Sequence, residues 1–195
     1  GKPRRQCAAA ALRRASGAVR AAPRPGCRDP DLVILADSAV PAPEVVAGLT
    51  ARATPHLLVR TREGAGWVGP FVHPGRTSCL HCLDCHRTDR DESWPLLAAQ
   101  LISTPSPVDL ACAQATAAFA AGQALHAIAG AQKLLLYDSV AVVDVFAASA
   151  VRRTWPAHPR CGCVPPPTEP AAPPGEVGSP TGASPPGPHR EKGPL

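Results

Sequence analysis

Two short cysteine stretches constrain this chain more than anything else in it: "CLHC" at residues 79–82 and "CGC" at 161–163. Cys79 and Cys82 have the spacing that lets two thiolates meet one ion from a single tight turn. Cys161 and Cys163 form a second close pair around Gly162, with prolines nearby. Four sulfur ligands are what a closed structural zinc site takes. About 78 residues separate the pairs, more than a zinc ribbon usually encloses. A shared ion would therefore fasten the C-terminal segment onto the middle of a larger domain. Pinning so long a loop restricts the unfolded chain most in the entropy model.

Two other readings stand beside zinc. A thioredoxin-like redox pair should open a helix just after a strand near the start of its fold; this pair follows "PGRTS" and has a second pair downstream. A disulfide framework fits secreted chains shorter than this one. Cys85 is the third thiol of "CLHCLDC". It could replace Cys82, but C-x5-C makes a poorer knuckle, and it is treated as a bystander. His81 and His86 read as solvated loop histidines. Cys7, Cys27 and Cys112 read as small apolar or surface residues.

The formal charge of +5 comes from scattered arginines, and aromatic residues make up only 4% of the chain. Little is available for bases to stack on, so a solvated basic surface is expected rather than a nucleic-acid partner. The basic, Ala-rich opening has no apolar core of the length a secretory signal needs. Without a signal, the cytoplasm is the default, and there closely spaced cysteines more often bind metal or do chemistry. The chain opens mid-pattern at Gly1 and contains no Met, and is expected to be a fragment.

The periodicity predicts a basic helix over 4–22, a short apolar strand "DLVILAD" over 31–37 suited to a sheet covered on both faces, and a helix in "APEVVAGLTARA". Strands over 56–62 and 66–72 should meet at Glu63-Gly64-Ala65. The knuckle, a charged loop "HRTDRDESWP" and a short helix "WPLLAAQLI" come next. A long Ala-rich helix should span 109–130, its small residues packed closely on a sheet. Gln114, Gln123 and His126 within it argue against a membrane span. "KLLLYDSVAVVDVFAA" should hold one or two further strands, and "VRRTWPAHP" leads into the second cysteine pair. The expectation is an α/β domain over 1–164 followed by a disordered Pro/Gly-rich tail over 165–195.

With this order in place, the chain resembles the ThiF/MoeB/HesA-type adenylating enzymes, relatives of the ubiquitin-activating enzymes. "GKPRRQCAAAALRR" resembles the family's G-x-P-K segment and following helix. "DLVILADSA" resembles the strand ending in its nucleotide- and Mg-contacting aspartate, and "GWVGPFVHPGRTSCLHC" resembles its approach to the first zinc pair. "VGPFVHPGRTSCLHCLDCHRTDRDESWP" with "WPAHPRCGC" is more similar to the cyclodehydratase-associated branch of azole-peptide biosynthesis. The resemblance implies the C-terminal part of a Rossmann-like domain, with a mixed sheet and a structural zinc clip on Cys79, Cys82, Cys161 and Cys163. It implies nucleotide contacts at Asp37 and Arg4. Arg4 replaces the family's lysine and keeps the charge without its point-charge geometry, and Asp37 is followed by Ser38 rather than the usual Asn.

No G-x-G-x-x-G phosphate loop occurs in these residues, and no cysteine falls clearly at a catalytic position; Cys112, the nearest, lies within a predicted helix. No catalytic residue is assigned, and weak or no binding of ATP with Mg is expected. The branch implies a scaffold that presents a precursor (leader) peptide to a cyclodehydratase partner, and the family implies a homodimer. The alternatives are an ATP/Mg-dependent adenylyltransferase acting on a carrier-protein carboxylate, and a zinc-ribbon nucleic-acid module.

Overall fold

Strand β1 (Val33–Leu35) runs parallel to β2 (His56–Arg62), in register from Val33 opposite His56. A parallel pair needs a crossover, and helix α1 (Pro43–Ala51) supplies it, with Pro43 in its first turn where the missing N–H costs nothing. Strand β3 (Ala65–Val72) folds back antiparallel on β2. The two turn residues, Glu63 and Gly64, both have positive φ, 53° and 75°, as a hairpin matching the strand twist requires. Strands β4 (Ser139–Asp144) and β5 (Ser149–Thr154) complete a five-stranded mixed sheet of order β1-β2-β3-β4-β5. In this computed structural model, residues 30–164 apart from 37, 103 and 132, together with 10, 11 and 14, are described. The expected helix over 4–22, save those three positions, and the tail over 165–195 lie outside the described residues. So do Cys7, Cys27, Arg4 and Asp37.

Side-chain alternation along β2 divides the core. Leu58 points to one face, with Leu35, Leu49 of α1, Val72, Val140 and Trp155. Leu57 and Val59 point to the other, with Val68, Phe71, Ala120 and Leu136. On the first face sit α1 and the helix α2 (Leu80–Thr88), which contributes Leu80 and Leu83; helix α3 (Trp94–Leu101) follows α2 in the chain. The long helix α4 (Leu110–Ile128) covers the second. Its cap is Asp109, whose carboxylate accepts the Cys112 N–H at 2.8 Å. Its buried residues, Cys112, Thr116, Ala120 and Ala124, recur every four positions. The helix packs so closely that a Cβ added at Gly66 of β3 would stand 1.9 Å from Thr116 Oγ1. No helix among the described residues is long and apolar enough to cross a membrane.

Three sequence expectations are corrected. Among the described residues β1 is an edge strand, and Ile34 is 46% exposed rather than covered on both faces. The charged stretch after the knuckle is not all loop, since α2 continues through His86, Arg87 and Thr88. Residues 151–154, expected only as a lead into the second cysteine pair, lie in β5, which begins at Ser149.

Candidate metal centre

The first cysteine pair is placed by the start of α2. Cys79 is that helix's N-cap, with extended backbone at φ −97° and ψ 177°, and Cys82 lies three residues on, in the first turn. C-x-x-C across a helix N-cap sets both sulfurs at the N-terminal end of the helix. The approach from β3 is fixed by the turn "HPGRTS". There Gly75 takes φ +77°, and Thr77 Oγ1 accepts the His73 N–H at 2.9 Å.

Asp138, just before β4, ties the two halves together. Its carboxylate accepts the Ser78 N–H at 2.7 Å, and its carbonyl accepts the Trp155 N–H at 2.7 Å. The residue before Cys79 and the residue that leaves β5 thus share one anchor. From Trp155, buried beside Leu80 and Leu83, the chain returns to the knuckle. Gly162, at φ +66°, supplies the left-handed turn between Cys161 and Cys163.

The four thiols converge. Cys79 and Cys161 sulfurs lie 3.4 Å apart, Cys82 and Cys163 3.2 Å, and Cys79 and Cys82 3.9 Å. All four lie within 4.8 Å of one another. Sulfurs held tetrahedrally about 2.3 Å from one zinc ion stand about 3.8 Å from each other, so the cluster could hold a metal ion with small adjustment. Burial pushes the Cys161 and Cys163 thiols up, Cys163 to about 12, and their sulfur neighbours push the same way. Burial opposes ionisation of Cys82 too, but N–H groups of His158 and Cys79 together with the Cys163 and Cys161 thiols outweigh it and hold that thiol down. The His158 N–H reaches Cys82 Sγ at 3.3 Å, the kind of outer contact that orients a ligand.

Around the thiols lies a polar bracket. The His158 imidazole is buried; its Nδ1 accepts the Arg160 N–H at 3.1 Å, which leaves the proton on Nε2 to be donated to Asp89 at 2.8 Å. Arg160 also pairs with Asp89. The His158 hydrogen bond, with Arg160 and His86 adding their fields, holds the Asp89 carboxyl below the usual range. His86 Nε2 donates to the Pro156 carbonyl at 2.9 Å and meets the His158 ring edge-on at 4.7 Å. His86, Asp89 and His158 lie close enough to hold a cation, but both nitrogens of His158 are committed and Asp89 already carries a guanidinium. Their role is to brace the return segment.

His86 is therefore not the solvated loop histidine expected: it lies on α2 and fastens Pro156. His81 is on the same helix, with Nε2 3.5 Å from Cys85 Sγ. Cys85 stands outside the four-thiol cluster, and burial pushes its thiol up. Cys112 is fully buried, close to Thr116 within α4.

Two groupings escaped sequence reasoning: the Asp89–His158–Arg160 bracket, and Asp84 shared by Arg87 at 3.1 Å and Trp94 Nε1 at 3.0 Å. Their signal is charge recurring at helical spacing directly after a knuckle, Asp84 with Arg87 and His86 with Asp89, which a loop assignment conceals.

No family model matches the sequence, and no curated protein matches it. Solved structures match the fold. E. coli MccB with succinimide superimposes at a TM-score of 0.50 and 15% identity, covering 68% of this chain and 39% of that one. The microcin C7 biosynthetic enzyme MccB in complex with N-formylated MccA gives 0.50 and 14%, covering 68% and 40%. A heterocyclase in complex with substrate and cofactor gives 0.51 and 19%, covering 69% and 20%. The chain thus spans about two fifths of MccB and one fifth of the heterocyclase. The described residues share the fold of part of MccB and part of the heterocyclase, in line with the α/β domain expected from the sequence.

Proposed function

We propose that this chain is a zinc-clipped ThiF-like scaffold that binds a ribosomal precursor (leader) peptide and presents it to a cyclodehydratase partner. The observation that carries this is the four-thiol cluster joining "HPRCGC" to "CLHCLDC" on a ThiF-like sheet. Cys79, Cys82, Cys161 and Cys163 would be the ligands of one zinc, chosen over other ions because an all-thiolate tetrahedral set suits it. Zinc closed by four thiolates has no open position for substrate, so its contribution is to shape. It holds the return segment and α2 rigid, which is what a binding surface needs. A metal centre built on a five-stranded sheet also differs from a free-standing ribbon. Similarity of fold to MccB, solved with N-formylated MccA, and to a heterocyclase solved with substrate supports a peptide as the partner. Residues 165–195 are proposed to be a dispensable tail, and the scaffold to act in the cytoplasm as a homodimer.

The test is reconstitution with a candidate precursor peptide and a candidate cyclodehydratase. The chain should bind the precursor and raise the rate of azole formation, and Cys163→Ser should lose both along with the zinc. A zinc-loaded chain that neither binds precursor nor changes the rate would end this proposal. The second reading, an ATP/Mg-dependent adenylyltransferase, rests on the sequence alone, in which Asp37 follows the end of β1 by two residues. In open α/β sheets ligands gather past the carboxyl ends of strands. Micromolar ATP binding by calorimetry, abolished by Asp37→Ala, would put it first.

A further inference from the structure

On the first face of the sheet, α1, α2 and α3 enclose an open cleft of about 720 Å³. That is within the size range of ligand sites. Its walls are largely apolar: Val40, Val46, Leu80, Leu83, Ala98 and Ile102 among them. At its edge stands Arg60 of β2, which also lines a second cleft of about 380 Å³ shared with Trp94, Leu97 and Leu101. One guanidinium thus sits between two apolar clefts.

The other charges near Arg60 are paired with one another. Arg87 holds Asp84 at 3.1 Å, and Arg62 holds Glu63 at 2.9 Å. Arg60 donates from Nη1 to the Ala39 carbonyl at 3.3 Å and lies 5.7 Å from the Trp67 ring centre. Its Nε is buried and has no hydrogen-bond partner, and it has no carboxylate partner among the described residues. Burial, with Arg87 and Arg62 close by and Asp84 partly offsetting them from the same cleft, lowers Arg60 to about 9, so it stays a cation at neutral pH. A buried, unsatisfied guanidinium N–H is costly, and a carboxylate would satisfy it with a charge-assisted bond.

We infer that these adjoining clefts bind an extended peptide segment in which one acidic side chain lies between bulky aliphatic ones, its carboxylate on Arg60 and an aliphatic group in each cleft. An anion with apolar groups on both sides matches the cation between two apolar walls, and a peptide carries both along one strand. This deepens the scaffold proposal and rests on it for the claim that the bound chain is a peptide.

The test uses fluorescence anisotropy with the full, zinc-loaded chain. The probe is a dye-labelled, end-blocked pentapeptide of four leucines around a central glutamate, so its only carboxylate is the side chain. The glutamate peptide should bind about tenfold or more tightly than its glutamine counterpart. In Arg60→Met the two peptides should bind alike, and Ala98→Phe, which fills the first cleft, should weaken the glutamate peptide several-fold. The glutamate-to-glutamine comparison needs no variant and stands even if Arg60→Met misfolds. Equal binding of the two peptides to the unaltered chain overturns the inference. So does binding of neither, which would mean the clefts are filled by the chain itself, and so does octanoate competing as well as the peptide, which would mark a small-acid site. Each of these leaves the precursor and cyclodehydratase reconstitution free to succeed, so the two proposals fail separately.

Discussion

The two faces of the sheet are held by different means. On the second face α4 lies against β2 and β3 through small residues, with Thr116 fitted over Gly66 so closely that no Cβ has room. The attraction there is short-ranged dispersion and burial. On the first face the return segment meets α2 where four thiols converge, and it is held by the Asp138 anchor and the Asp89–His158–Arg160 bracket. The partners of that bracket lie about 70 residues apart in the chain. One face is held by close apolar packing alone; the other adds to its apolar core a few directional links of long sequence reach. The first should respond to added volume and the second to chemistry.

The largest break should come from the metal. Chelation, or Cys82→Ser, should lower the melting temperature by on the order of 10 °C or more under reducing conditions. Cys85→Ser should leave both metal and melting temperature in place. An unshifted melt after chelation would mean that the bracket alone holds the segment. Acid should act in the same direction. Cys161 and Cys163 are held protonated near neutral pH, so the ion must displace their protons. Each unit fall in pH should weaken metal affinity by up to about tenfold per proton displaced, which competition with a chromogenic chelator would measure.

A smaller break should come from Gly66→Ala. Its Cβ forces α4 away from β3, at a cost of about 1–3 kcal/mol in urea unfolding with zinc content unchanged. Loss of zinc from that variant would show that the faces are mechanically coupled. The smallest effect should be that of Asp89→Asn, which removes an exposed carboxylate but keeps a hydrogen-bond acceptor for His158. Zinc should stay bound and be released somewhat faster to a chelator; unchanged release would assign the ordering of His158 to its neighbours.

Sequence reasoning worked where burial imposes a period. The apolar runs of β2 and β3, buried on both faces, and the small residues of α4 were legible because each must meet a core. It failed where burial imposes none. Every residue of β5 is exposed, so nothing in "SAVRRT" alternates, and the strand exists because β4 offers it a ladder. The helix after Cys79 was missed because charge in "LDCHRTD" reads as loop, while the side chains satisfy one another across α2 and the return segment. The thiol pairs were legible as pairs. That Asp138 would tie Ser78 to Trp155 was not, because an anchor of this kind depends on the sheet bringing three distant residues together.

The order in which the thiols appear during synthesis adds a temporal consequence. Cys82 leaves the ribosome well before Cys161 and Cys163, and at ordinary elongation rates the interval is on the order of ten seconds. Through that interval the knuckle is half a site, two thiols with no partners, and β5 has not yet been completed. The four-thiol site proposed for zinc is therefore complete only after β5 has been made. Metal supply and protection of the early thiols from oxidation would then govern how many chains mature.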